Sequence, residues 1–75
     1  MIRFKLKELM AEKSFQEGRR ITYDEIAQQT GINRTTLSKI ANQKGYNTST
    51  DNLDALCEYF GCEIGELAQR VATDD

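Results

Sequence analysis

Two short segments with helical spacing, joined by the single glycine Gly31, constrain the fold of this 75-residue chain more than any other feature. Glycine adopts positive φ at little cost, so we expect Gly31 to end the first helix and turn the chain into the second. Ala27, four residues earlier, is small at the place where two helices joined by so short a turn must approach closely. The segment therefore predicts two short helices packed against each other across a tight turn.

Helical spacing also dominates the rest of the chain, where strand-like alternation is rare. It predicts an all-α fold of five short helices in one domain that spans residues 1–75, because this length supports one modest core. The five predicted helices cover about residues 2–14, 23–30, 34–42, 50–60 and 64–72.

The clearest predicted helix start lies at residue 22. Thr22 is predicted to cap the second helix, and Glu25, three residues later, to complete a capping box. Ile21 and Ile26 occupy the two positions of a hydrophobic staple, which fixes how the chain enters a helix. The other predicted caps and stops are Gly18, Asn33, Ser49 and Gly61.

The first predicted helix carries two apolar stripes. The stripe that we expect to face the core consists of Ile2, Leu6, Leu9 and Met10. The other stripe consists of Phe4, Ala11 and Phe15. It predicts a second contact surface, covered by the fifth helix, by the connection after the first helix, or by a symmetric partner. Cover within the chain is favoured, because Phe15 adjoins a flexible segment that can fold back over it.

Charge is unevenly distributed along the chain. Residues 1–50 hold nine Lys and Arg against five Asp and Glu, a net charge of +4, whereas residues 51–75 hold one Arg against seven acids, a net charge of −6. A basic half that faces phosphate and an acidic half that faces away would suit a nucleic-acid-binding protein. Chance segregation in a short chain explains the same numbers, so charge alone leaves both interpretations open.

Two cysteines, Cys57 and Cys62, are the residues that would suggest metal or redox chemistry. The chain has no histidine and no further cysteine, so the pattern argues against a zinc site, and no cofactor is expected. We expect both thiols to be reduced and partly buried, acting as small hydrophobic side chains, with a redox or metal role as the alternative.

Neither a membrane span nor a signal peptide is visible in the sequence. No apolar run approaches the roughly 18–20 residues that a span requires. The first seven residues alternate charged with apolar side chains instead of forming a continuous apolar core. The sequence therefore predicts a cytoplasmic protein without a membrane partner.

The third predicted helix has two faces of opposite character. Its inner face consists of Leu37, Ile40 and Ala41. Its outer face consists of Arg34, Thr35, Ser38 and Lys39. Hydroxyl groups and an arginine presented from one helix are suited to reading DNA base edges in the major groove. This face therefore predicts a DNA-binding surface, with ordinary solvated side chains as the alternative.

Residues 23–40, which read YDEIAQQTGINRTTLSKI, resemble the Cro/repressor-type (XRE-like) helix-turn-helix family. The positions that match in both type and spacing are Ala27, Gly31, Ile32, Leu37 and Ile40. Residues 53–62 look like that family's fourth helix. Two departures are a longer connection between the first two helices and Tyr23, which stands where many members have a phosphate-binding glutamine. The resemblance implies a lambda-repressor-like domain with the helix-turn-helix at its second and third helices.

The resemblance also implies roles for individual residues, with the third helix in the major groove and the second crossing above it. Those implied to contact bases are Asn33, Arg34, Thr35, Ser38 and Lys39. Those implied to contact phosphates are Thr22, Tyr23, Asn42, Lys44 and Tyr46. Tyr46 could instead pack on the core. Arg19 and Arg20, beside the motif, either add phosphate contacts or keep the connection soluble.

The sequence thus predicts a sequence-specific binder of double-stranded DNA, a prokaryotic or phage transcriptional regulator that acts as a repressor. A homodimer and a protein partner, such as a toxin or another regulator, are left open. The alternative is a protein-interaction module, such as an antitoxin-like or anti-repressor subunit, which the acidic second half and the Phe4 stripe favour. An enzyme is not expected, because the chain lacks histidine, a Gly-rich phosphate loop and a paired acid cluster.

Overall fold

A computed structural model of the chain describes residues 1–72, and within them five helices and a two-stranded sheet. In chain order the elements are β1 Ile2–Phe4, α1 Leu6–Glu17, α2 Tyr23–Thr30, α3 Arg34–Asn42, α4 Thr50–Phe60, α5 Ile64–Leu67 and β2 Ala68–Arg70. The predicted helical fold and the predicted bounds of α2, α3 and α4 are confirmed. No helix in the described part of the chain is long and apolar enough to cross a membrane.

The starts of α2, α3 and α4 follow the predicted caps. Each helix begins after a residue whose side-chain oxygen accepts a backbone N–H of the first turn. The bonds run from Glu25 N to Thr22 Oγ1 at 3.2 Å, from Thr35 N to Asn33 Oδ1 at 2.7 Å, and from Asn52 N to Ser49 Oγ at 3.1 Å. These bonds satisfy N–H groups that have no partner within the helix, and they fix where each helix starts.

The Glu25 carboxylate does not complete the predicted capping box. It accepts hydrogen bonds from the Arg19 guanidinium at 2.6 Å and from the Tyr59 hydroxyl at 3.2 Å. A cation is a stronger partner for a carboxylate than a backbone N–H, because the bond is charge-assisted on both sides. Glu25 therefore ties α2 to the preceding connection and to α4, while Thr22 caps the helix alone.

The core is formed by eight buried hydrophobic residues, and each of the five helices supplies at least one. They are Leu6, Ile21, Ile26, Ile32, Leu37, Ile40, Leu56 and Leu67. Ile21 and Ile26, the predicted staple pair, are both among them. Since α2 packs against both α3 and α4, the core is centred on these three helices.

The ends of the chain pair as strands, which the helical spacing did not predict. Predicted helices over residues 2–14 and 64–72 are wrong at their outer ends, because α1 begins at Leu6 and α5 ends at Leu67. At its other end α1 continues to Glu17, beyond the predicted end at residue 14. A three-residue strand is too short for alternation to be distinguished from helical spacing. Its partner lies at the far end of the sequence, so no local pattern reports the pairing.

The two strands are antiparallel, with Arg3 opposite Gln69. The backbone bonds that flank this pair are Lys5 N–H to Leu67 O at 2.7 Å and Val71 N–H to Met1 O at 2.8 Å. Bonded and non-bonded residue pairs alternate along an antiparallel ladder. The Arg3–Gln69 pair, midway between the two flanking bonds, is therefore a bonded pair, whereas the N–H of Arg70 points away from β1.

The second apolar stripe predicted on the first helix does not form. Phe4 lies on β1 and packs against the core, while Ala11 is exposed on α1. Phe15 is 84% exposed, so its predicted cover within the chain is wrong as far as residues 1–72 are concerned. Ile2, predicted to face the core, is 45% exposed. The errors at Ile2 and Phe4 follow from the late start of α1, because residues on a strand share no helical face with the residues that follow. Phe15 lies on the helix as predicted, and only its predicted cover is wrong.

Cys57 and Cys62 are free and half-buried, as predicted. Burial, and then the neighbouring Cys57 thiol, raise the pKa of the Cys62 thiol to about 11, with smaller effects of Glu66 and Glu63. A thiol with this pKa is protonated at neutral pH and is a weak nucleophile, which agrees with a packing role. Within residues 1–72, no three side chains of the metal-binding types are grouped to hold an ion.

The alternation of the ladder supplies a matched test of the sheet. Gln69→Pro removes the N–H that donates to Arg3, and it should lower the free energy of unfolding by about 1 kcal/mol. Arg70→Pro removes an N–H that makes no bond to β1 and should cost clearly less. Both side chains are exposed, so neither change removes core packing. Thermal unfolding measures the two losses, and equal losses would contradict this register.

Cys62 should react slowly with alkylating reagents in the folded protein. The thiolate is the reactive form, and a pKa of about 11 instead of 9.0 lowers its population at pH 8 by about a hundredfold. Iodoacetamide labelling of folded and urea-unfolded protein, followed by peptide mass spectrometry, compares the two rates. The folded rate should rise as the pH approaches 11; similar folded and unfolded rates at pH 8 would refute the raised pKa.

Candidate nucleic-acid interface

The turn between α2 and α3 is held by one glycine and one hydroxyl group. Gly31 has a φ of 77°, a conformation that other residues rarely adopt, and it ends α2 as predicted. Thr30 Oγ1 donates to the Ile26 carbonyl at 2.7 Å and accepts from the Ile32 N–H at 3.2 Å. Ile32 itself is buried. Packing and hydrogen bonds together therefore fix the direction in which α3 leaves the turn.

Only the inner face of α3 contacts the core. Leu37 and Ile40 are buried, and Ala41 is half-buried against them, as the sequence predicts. The outer face carries the residues that are predicted to contact bases. Of these, Asn33, Arg34, Thr35 and Lys39 are exposed, and Ser38 is half-buried. The structure thus presents the five predicted base-contacting residues together at one end of the turn and along one helix face.

Two of the predicted DNA-contacting residues already make hydrogen bonds within α3. Asn33 Oδ1 accepts the Thr35 N–H, which leaves the amide N–H groups of Asn33 for an outside acceptor. Asn42 Nδ2 donates to the Ser38 carbonyl at 2.9 Å and lies 3.4 Å from Ser38 Oγ. These bonds orient one amide at each end of the exposed face.

Arg34 is paired with a carboxylate on the other side of the turn. Its Nε lies 3.4 Å from Oδ1 of Asp24 on α2, and both side chains are 69% exposed. An ion pair this exposed contributes about 0.2–1 kcal/mol at most, because water screens it and two side chains lose freedom. The pair therefore places the guanidinium at the start of α3 without locking it there.

The predicted phosphate-contacting residues fall into two groups. Thr22, Asn42 and Lys44 are exposed. Tyr23 and Tyr46 are half-buried and pack against the core, so part of each ring is already engaged. Lys44 lies in the loop after α3 and makes no ion pair with any residue in the range 1–72. It is the best placed of the five to meet a phosphate as a free cation.

Two further cations lie beside this loop, and no sequence pattern predicted either of them. Arg3 and Lys7 line one cleft together with Lys44. Arg3 lies on β1, so its position depends on the pairing of the chain ends, whereas Lys7 lies on α1, which packs against α3. No spacing rule reports a contact between segments so far apart in sequence. Arg3 is paired with Glu8, whereas Lys7 is exposed and has no ion-pair partner in the described part of the chain.

Arg19 is neutralised by two carboxylates and is not a free phosphate-binding group. Its guanidinium lies 2.6 Å from Glu25 and 2.9 Å from Glu17. The hydrogen bond to Glu25 is the main cause that raises the pKa of Arg19, and the hydrogen bond from Lys13 is the main cause that lowers the pKa of Glu17. This network fixes the connection after α1. Arg20, by contrast, is exposed.

The charge segregation along the chain is also a segregation in space. The cleft beside α3 is lined by Arg3, Lys7 and Lys44, with Glu8 as its acidic member. A separate cleft along α4 and α5 is lined by Asp54, Glu58, Glu63 and Glu66, and no residue of α2 or α3 lines it. Such an arrangement favours the approach of a polyanion from the α3 side.

Comparison with known protein families agrees with this geometry. Residues 5–73 match a family described as the Cro/C1-type HTH DNA-binding domain. No curated protein and no solved structure matches the chain. The family match spans all five helices, and it therefore includes α3, whose inner face is buried and whose outer face is exposed. The chain therefore belongs to the Cro/C1-type helix-turn-helix DNA-binding domains.

Proposed function

We propose that this protein binds double-stranded DNA at specific sequences and thereby represses transcription in a prokaryote or phage. The observation that supports the specific reading of DNA is the outer face of α3, whose polar side chains stay exposed while its inner face is buried. A polar outer face is usual on an amphipathic helix, and the match of residues 5–73 to a DNA-binding family supports the assignment of this face to DNA. The repressor role and the prokaryotic or phage origin are inferred from the family resemblance.

In this proposal the N-terminal half of α3 enters the major groove. Arg34 donates two parallel hydrogen bonds to guanine O6 and N7. The amide of Asn33 donates to an adjacent base, and the methyl group of Thr35 contacts a thymine methyl. Ser38 and Lys39, one turn further along α3, reach flanking base pairs.

Contacts to the phosphate backbone set the register of α3 on the duplex. Lys44 supplies a free ammonium group after α3. Thr22 Oγ1 accepts the capping bond from Glu25, so its O–H remains free to donate to a phosphate near the positive end of α2. Tyr23, Asn42 and Tyr46 are the remaining proposed phosphate contacts. The packing of the two tyrosines against the core reduces the freedom that they would lose on binding.

A second function, as an antitoxin-like or anti-repressor interaction module, is favoured by other observations. Phe15 is exposed on α1, and the acidic cleft along α4 and α5 is open to a basic partner. A toxin, another regulator or a second copy of this chain could use these surfaces while α3 remains free. The Phe4 stripe, which also favoured this function, does not form. A linear fall of log affinity for duplex DNA with log salt supports the DNA-binding function, whereas stable co-purification with one protein and no DNA retention supports the second.

Selection of bound sites from random duplex DNA is the first experiment. It yields the preferred sequence, and two symmetric half-sites in that sequence would indicate a two-fold dimer. The selected duplex and a scrambled version of it then serve as the matched and non-specific ligands below.

Arg34→Ala should relax specificity at one base pair of each half-site, because a bidentate arginine–guanine contact is worth about 1–3 kcal/mol of discrimination. Lys44→Ala should weaken matched and scrambled duplexes alike and reduce the salt slope by about one unit. Both side chains are exposed, so both variants should stay folded. Binding curves on the two duplexes at several salt concentrations measure both effects.

Charge-preserving variants are the controls for these two substitutions. Arg34→Lys keeps the positive charge and loses the planar fork, so it should lose discrimination and keep non-specific binding. Lys44→Arg should change neither the discrimination between duplexes nor the non-specific binding. Equal losses of affinity for Arg34→Ala and Lys44→Ala on every duplex would contradict the assignment of Arg34 to base contact. If the folded wild type binds no duplex at low salt, the proposed function itself is wrong.

A further inference from the structure

Asp24 is the feature of the α2–α3 surface that the proposed DNA contacts leave unexplained. It lies in the first turn of α2 and is 69% exposed. Its carboxylate lies across the turn from the proposed base-reading face, 3.4 Å from the Arg34 guanidinium. A carboxylate on a surface that must approach phosphates is unfavourable by itself, because like charges repel.

The atoms that form this pair leave the base-reading edge of Arg34 free. Asp24 Oδ1 faces Nε of the guanidinium, not the terminal Nη atoms. A guanidinium carries five N–H donors in one plane, one on Nε and four on the two Nη atoms. The carboxylate can therefore hold the Nε side while the Nη groups donate to O6 and N7 of a guanine.

We infer that Asp24 is a specificity-determining residue, which positions Arg34 for guanine and disfavours duplexes that offer Arg34 no guanine. This inference rests on the proposed function, because it requires that Arg34 contact a base. On a matched duplex the Arg34 charge compensates Asp24, and the pair is shielded from water. On a mismatched duplex Arg34 has no base partner, and the carboxylate opposes the phosphates. The same side chain thus has opposite effects on the two kinds of duplex.

The exposure of the pair explains why its effect is expected in binding and not in folding. Water screens the two charges in the free protein. At a protein–DNA interface the surrounding dielectric constant falls, and the interaction between the same two charges strengthens. Asp24→Asn should therefore leave the unfolding temperature nearly unchanged, apart from a small loss of charge at the positive end of α2.

The test is a double-mutant cycle of Asp24→Asn and Arg34→Ala, with affinities measured on the matched duplex and on one with the guanine pair replaced. Asp24→Asn should bind the replaced duplex about threefold more tightly and the matched duplex about threefold more weakly, so that discrimination falls by roughly tenfold. In the Arg34→Ala background the same substitution should leave the ratio of the two affinities unchanged. Asp54→Asn, which removes an equal charge from the exposed surface of α4, is the matched control. It should leave the ratio of the two affinities unchanged, both with and without Arg34.

The outcomes separate this inference from the proposed function. If wild type discriminates between the duplexes and Arg34→Ala does not, the proposed base contact stands. If Asp24→Asn then discriminates as well as the wild type, or changes the affinity for both duplexes by the same factor, the inference is wrong while the proposed base contact still stands. An equal effect of Asp24→Asn on discrimination with and without Arg34 also overturns it, because the carboxylate would not act through the guanidinium. No duplex binding by the folded wild type overturns both.

Discussion

The burial of one face of α3 is the interaction on which the rest of the structure depends. Leu37 is fully buried and Ile40 nearly so, in a core shared with Ile26 of α2. Fully burying a side chain of this size contributes about 1.5–3 kcal/mol, several times the worth of an exposed ion pair such as Arg34–Asp24. Packing therefore orients the helix, and the outer face is free to carry groups that stability does not require.

What could be predicted from the sequence is what local chemistry determines. The starts of α2, α3 and α4 were predicted because a capping side chain and the N–H it accepts lie within three residues of each other. The strands were missed because β1 is defined by a partner strand 64 to 68 positions away, and three residues carry no distinctive period. The same distance in sequence explains the error in the predicted stripe of Phe4, Ala11 and Phe15, because Phe4 lies on strand β1 and not on the predicted helix.

The candidate site also has a part that local sequence predicts and a part that depends on tertiary contacts. The outward direction of Arg34, Thr35 and Lys39 follows from helical periodicity, and the structure confirms that these side chains are exposed. Their contacts with DNA stay predictions. The partners of these residues were not predictable, because Asp24 meets Arg34 across a turn whose angle depends on core packing. Arg3 reaches the same surface through the pairing of the chain ends.

That pairing also decides where other segments can be attached to the domain. The amino group of Met1 donates to the Val71 carbonyl at 3.2 Å, so Met1 and Val71 lie side by side. Met1 also lines one cleft together with Lys44 and Gly45, in the loop after α3. A tag or a second domain fused before Met1 would begin beside the surface proposed to face phosphate. Steric overlap with a duplex would follow from the point of attachment alone, whereas Gly18, in the exposed turn after α1, offers an insertion point outside that cleft.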